Sequence, residues 1–133
     1  MSGIEGIKAI NFLIFLFLGG IHLYWVFGGQ WGLNAALPSN AEGVRVLQPG
    51  KKGTVGVACC LFVAGLFSSG VITWGTWPFL VIGILFGLRV IGDFRYVGIG
   101  KKIKNTPFAQ KDATVFIPLC IYLSLSHFFL FYW

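Results

Sequence analysis

Four stretches of this chain stay apolar for about twenty residues each, and within them polar positions recur with neither a helical nor a strand period. They run from Ala9 to Gly28, Thr54 to Trp74, Trp77 to about Val97 and Thr114 to Trp133. Apolar residues on every face fit helices surrounded by lipid rather than helices with one wet side. A bilayer span needs about 20 mainly apolar residues, so length and pattern predict four transmembrane helices. The connections differ in kind. Residues 29–53 form a long loop with Pro38, Gly43, Pro49 and Gly50 that ends on Lys51-Lys52; its first part, QWGLNAALP, can form a short interfacial helix. Gly75-Thr76 is a tight turn, followed by Pro78 in the first turn of a helix, and it predicts an antiparallel hairpin of spans two and three. Residues 98–113 are a polar loop. The expected fold is all-α, a single domain over 1–133 built as a four-helix up-down-up-down transmembrane bundle.

Composition agrees. Only 11% of residues are charged and 56% are hydrophobic, whereas a soluble domain carries about 25% charge. The net charge of +6 would suggest nucleic acid in a soluble protein. Here Arg45, Lys51, Lys52, Lys101, Lys102, Lys104 and Lys111 lie in the two long loops, and Lys8 alone lies on the side of the termini. That bias predicts a multi-pass cell-membrane protein with loops 29–53 and 98–113 cytoplasmic and both termini extracytoplasmic. Nucleic acid is excluded as a partner; the lipid bilayer is the expected one, with anionic headgroups attracted to the basic loops. Lys101-Lys102-x-Lys104 reads first as a topology determinant. Trp25, Trp31, Trp74, Trp77, Tyr96, Tyr132 and Trp133 sit where interface anchors belong.

Candidate chemistry enters with the third stretch, WPFLVIGILFGLRVIGDFRYVGIG, which carries Arg89, Asp93 and Arg95. A charge at the centre of a span costs about 2.5–3.5 kcal/mol, and such residues usually face the bundle interior and mark function. Arg89 and Asp93 are four apart and share a helix face, with Tyr96 following on it, so they are expected to pair. Arg95 points elsewhere and can snorkel. Near the end of the first span, His22, Tyr24 and Trp25 approach the same leaflet: at 1.5 Å per residue, His22 lies about 9 Å and Arg89 about 12 Å inside their helix ends. Asn11 falls near the opposite end. His127, with Ser124 and the aromatic run FFLFYW, is assigned to an interface end in the other leaflet.

Other chemistry is thinly represented. Cys59, Cys60 and Cys120 show no metal-ligand spacing and read as small apolar filler. The hydroxyls of Ser68 and Ser69 have no base near them in sequence, and no Gly-rich phosphate loop follows a strand. No cofactor or metal is called for, and an enzyme is the less favoured class. Gly83-x-x-x-Gly87 and Gly65-x-x-x-Ser69 are small-residue patterns that favour close helix packing within the chain over dimerisation.

Three strings, HLYWVFGGQWGLNAALP, LRVIGDFRYVG and FAQKDATVFIPLC, resemble a family of small bacterial four-helix membrane proteins known as domain of unknown function 3995. The resemblance covers nearly the whole chain and implies a fold but no activity. It also implies that His22, Trp31, Gly32, Arg89, Asp93 and Arg95 occupy the family's motif positions.

The leading functional expectation is an intramembrane polar site for a small or lipid-like anionic ligand. Arg89 would meet the anion and Asp93 would hold Arg89. His22, Trp25, Trp31, Arg95 and Tyr96 would complete the site. A second expectation is an accessory or immunity-type protein whose charges brace the bundle while a membrane-protein partner reads its surface. A third is an oligomeric proton-coupled transporter or small membrane enzyme using His22 and Asp93.

Overall fold

The computed structural model describes residues 2–133. It is all-helical. Helix α1 runs Gly3–Val26, a short α2 Leu33–Ala36, α3 Lys51–Ser69 and α4 Trp77–Ile91. Then α5, Pro107–Lys111, continues through a π-helical turn, Asp112–Phe116, into α6, Ile117–Tyr132. Among the described residues, three helices are long and apolar enough to cross a membrane: α1, α3 and the continuous Pro107–Tyr132. At 15 residues, α4 reaches about 22 Å, short of a hydrocarbon core about 30 Å thick.

Local chemistry sets the helix ends. Ser2 caps α1: its hydroxyl accepts from the Glu5 amide, and the Glu5 carboxylate accepts from the Ser2 amide, both at 3.3 Å. The α3 helix stops at Gly70, whose left-handed φ of 79° is the common C-terminal signal. The Lys8 ammonium lies beside Gly70, where a cation meets the negative end of the α3 dipole.

The chain divides into two compact units, and the division falls inside α4 and α6. The first comprises residues up to Gly29, Pro49–Gly83 and Leu125–Trp133; the second comprises Gln30–Gln48 and Ile84–Ser124.

In the first unit, α1 and α3 pack through missing side chains. A Cβ at Gly19 would lie 2.7 Å from the Phe62 ring, and one at Gly65 would lie 3.1 Å from the Cβ of Phe15. Gly65 of the small-residue pattern thus receives α1. Beside this contact lies a buried polar chain. Asn11 Nδ2 donates to Ser126 Oγ over 3.1 Å. The Ser126 hydroxyl faces His127 Nδ1 at 3.4 Å. His127 Nε2 lies 2.7 Å from Ser68 Oγ, and the Ser68 hydroxyl donates to the Ala64 carbonyl at 2.7 Å. A neutral His127 protonated on Nε2 satisfies every link, since each hydroxyl then donates once and accepts once. Phe15, edge-on, and Phe79, tilted, flank the imidazole. Two expectations are thereby corrected: Ser68 does have an imidazole beside it, though one that donates to its hydroxyl rather than acting as its base, and His127 is fully buried rather than an interface residue. The chain ends on a backbone carbonyl and every member is buried, so it holds helices in register.

In the second unit, Val90, Ile117 and Cys120 form a small core against Phe86, and a Cβ at Gly87 would come 3.2 Å from Ser124 Oγ. Residues 39–45 close a turn in which the Asn40 carboxamide accepts from the amides of Glu42 and Val44.

Candidate functional site

The sequence pattern carries the third apolar helix on to Val97, but α4 stops at Ile91. Gly92, at φ 73°, turns the chain out of the helix, and Gly98, at φ 93°, closes the loop. The two glycines approach so closely that a Cβ on Gly92 would overlap the Val97 carbonyl and one on Gly98 the Ile91 carbonyl. The Ile99 amide returns to the Val90 carbonyl at 2.9 Å. Phe94 takes a left-handed φ of 64° inside this loop, a conformation that costs a non-glycine residue about 1–3 kcal/mol and that the surrounding bonds enforce.

Asp93 is the loop's organiser. Its Oδ1 accepts from the amides of Arg95, Tyr96 and Val97 at 3.0, 2.8 and 3.0 Å. It is exposed. The expected Arg89–Asp93 pair does not form, because Asp93 lies beyond the helix end and is occupied with loop amides. Slight burial pushes the Asp93 carboxyl pKa up, but the amides of Val97, Arg95 and Tyr96 outweigh it and hold the group below the ordinary carboxylate range. A depressed folded-state pKa gives stability that is complete above the unfolded value of about 3.9 and fades as pH falls through the folded value. The difference in thermal unfolding between wild type and Asp93→Ala should therefore be full at about pH 5 and shrink progressively as the pH is lowered below about 3.9; a constant difference would show that the carboxylate charge is not what closes the loop.

The partner of Arg89 is Asp112, the first residue of the π-helical turn. Arg89 arrives from the last turn of α4, and its Nη2 donates to Asp112 Oδ1 at 2.7 Å. The loop supplies two donors to the other oxygen: the Gly98 amide at 2.9 Å and Lys101 Nζ at 3.2 Å. Lys101 Nζ also donates to the Gly98 carbonyl at 3.2 Å. The Asp112 side chain is fully buried, that of Lys101 is 6% exposed and that of Arg89 is 31% exposed. Lys101 is therefore more than a topology determinant, since it lies inside the protein on a carboxylate. The Arg89 guanidinium lies 5.9 Å from the centroid of the Phe108 ring. Its Nη1 is buried and, among the described residues, has no hydrogen-bond partner. Two cations thus meet one carboxylate, with one guanidinium nitrogen unspent. Helical segments with π geometry are frequent at functional positions.

The remaining expected residues are distributed as follows. His22 donates from Nδ1 to the Leu18 carbonyl at 2.6 Å and packs edge-on against Trp25, 5.0 Å between centroids. Arg95 lies over the Tyr96 ring at 5.1 Å. Trp31 is largely exposed, one residue before Gly32, which caps α2. Sequence reasoning missed Asp112 and the buried role of Lys101. A signal was available: the chain has only four acidic residues, and a lone Asp beside an apolar helix requires a cation.

Lys101 also lines an open cleft of about 500 Å³ with Lys104, Ile99, Ala109, Ala113 and Ile117.

Residues 15–127 match the DUF3995 family, described as a protein of unknown function, and the chain belongs to that family. No curated protein and no solved structure matches it.

Proposed function

For this member of the DUF3995 family we propose a small cell-membrane protein that binds an anionic ligand, small or lipid-like, at the Arg89–Asp112–Lys101 site. In this reading α1, α3 and Pro107–Tyr132 cross the membrane and the shorter α4 completes an up-down-up-down bundle where the bilayer thins around it, with the termini extracytoplasmic and loops 29–53 and 98–113 cytoplasmic. The charge bias of the loops supports that orientation. The observation that carries the ligand reading is the buried, unpartnered Nη1 of Arg89 beside a cluster with surplus positive charge. Buried donors are nearly always satisfied, and an exception calls for an explanation; an anion supplies one, and neutralises the excess charge as well. Asp112 takes the holding role expected of Asp93. It holds the guanidinium at Nη2 and leaves Nη1 for the ligand, a charge-assisted donor of the kind that binds oxyanions strongly. The proton-coupled reading loses its carboxylate, since Asp93 is committed to the loop.

Thermal unfolding of the detergent-extracted protein in inorganic phosphate, against chloride at equal ionic strength, tests this. Wild type should be stabilised, by about 2.7 kcal/mol at a hundredfold excess over Kd. Arg89→Gln should remove the phosphate-specific part and Arg89→Lys should keep some of it. An unchanged phosphate effect in Arg89→Gln would refute the site. A fold lost in Arg89→Gln but kept in Arg89→Lys, with no phosphate effect in wild type, would favour a brace that a partner protein reads from outside.

A further inference from the structure

The cleft beside the anion site differs from it in character. Lys101 and Lys104 supply positive charge, whereas Ile99, Ala109, Ala113 and Ile117 supply an apolar wall. A compact anion would use the lysines and leave the wall idle. The wall also has a direction. Ala109, Ala113 and Ile117 follow one another at four-residue intervals along the continuous helix Pro107–Tyr132, so they lie on one face. From Ala109 to Ile117 the helix rises about 10 Å, a little under the α-helical value because of the π-helical turn, leaving the polar loop that carries Lys104 and entering the membrane-length apolar segment. Charge therefore stands at the loop end and hydrocarbon at the span end. The volume, about 500 Å³, is that of an ordinary ligand site: enough for a headgroup and the first part of a chain, with the remainder lying in the bilayer.

We propose that this cleft holds an anionic glycerophospholipid, with its phosphate on Lys101 and Lys104 and its proximal acyl chain along Ala109, Ala113 and Ile117. The proposal rests on the anion-site reading through Lys101, which belongs to both, and adds a lipid subsite next to it. Lys101 joins the two: its ammonium is held by Asp112 and the residue is part of the cleft lining, so the carboxylate that positions Arg89 also fixes the lysine on which the headgroup would draw. Gln110 and Thr114 add polar atoms at the cleft edge.

Native mass spectrometry of the full chain, released from micelles holding equal amounts of phosphatidylglycerol and phosphatidylcholine, tests it. Wild type should retain phosphatidylglycerol at least about tenfold over phosphatidylcholine, since each lysine near an anionic headgroup favours it by roughly fivefold and two are present. Ala113→Phe should fill the wall at an exposed position and remove that adduct while phosphate-dependent stabilisation survives; Thr114→Phe serves the same purpose if Ala113→Phe does not fold. Lys104→Gln should reduce the preference severalfold. Equal retention of the two lipids, or an adduct that persists when the wall is filled, would overturn the proposal. If phosphate still stabilised the protein in that case, the anion site would stand with a soluble ligand; if phosphate did nothing either, both readings would fall.

Discussion

Asp112→Ala should lower the unfolding free energy by about 3–5 kcal/mol, the usual result of removing one partner from a buried ion pair. Asp112 is fully buried and accepts from Arg89, Lys101 and the Gly98 amide together. Its loss leaves the Lys101 ammonium 6% exposed with one remaining acceptor, the Gly98 carbonyl. It also leaves Arg89 facing a second cation with nothing between them. Arg89 is about a third open and can turn outward, so the lower half of that range is expected. Asp112→Asn should fall between alanine and wild type: the carboxamide keeps an acceptor for one donor but no charge, and it presents an N–H to a site built from donors. Denaturation monitored by circular dichroism in detergent reads both. A loss under about 1 kcal/mol for Asp112→Ala would mean that Asp112 is not the anchor.

Gly98→Ala should rank next, at about 2 kcal/mol or more. The new methyl group would overlap the Ile91 carbonyl, and φ at 93° adds about 1–3 kcal/mol for any residue with a Cβ. The strain falls on a site residue, because the Gly98 amide binds Asp112, so phosphate-dependent stabilisation should weaken along with the fold. Gly92→Ala should resemble it in stability, as its methyl group would strike the Val97 carbonyl. Gly56→Ala is the contrast. Gly56 lies inside α3, and its Cβ would meet nothing within 4 Å. That change should be neutral or stabilising by up to about 1 kcal/mol. If Gly98→Ala and Gly56→Ala behaved alike, the tight closure of residues 92–98 would be wrong.

The class of the protein was legible because lipid selects composition, and composition survives without a structure. Apolar runs and the scarcity of charge locate α1, α3 and the long C-terminal helix, with ends displaced by up to seven residues: α1 starts six residues before Ala9, α3 stops five before Trp74, and the last helix starts seven before Thr114. The end of α4 was misplaced for a local reason that the sequence does contain. Gly92 follows the last helical residue, Asp93 follows Gly92, and a second glycine comes six positions after the first. Gly then Asp is the chemistry of a helix stop and a side-chain-capped turn. The hydrophobic residues around them, Phe94, Tyr96 and Val97, outweighed that signal in a count of apolar positions. The unusual Gly-Asp-Phe-Arg string is unusual for a span because it is a loop.

Arg89 was singled out from the sequence, yet its partner was not. A four-residue helical spacing pointed to Asp93, whereas Asp112 stands 23 residues away and reaches Arg89 only because the 92–98 loop folds the chain back. Helical periodicity cannot foresee a contact made through a loop. The Ser68–His127 bond, spanning 59 residues, escaped for the same reason.

A double-mutant cycle between Asp112→Asn and Arg89→Gln, read by equilibrium unfolding in one detergent, isolates the contact from which the proposed site is built. The two changes should couple by about 2 kcal/mol, within the range found for residues in direct contact, with the double variant less damaged than the sum of the singles. Additive losses, to within about 0.5 kcal/mol, would mean that the carboxylate does not hold the guanidinium, and the anion site would lose its foundation.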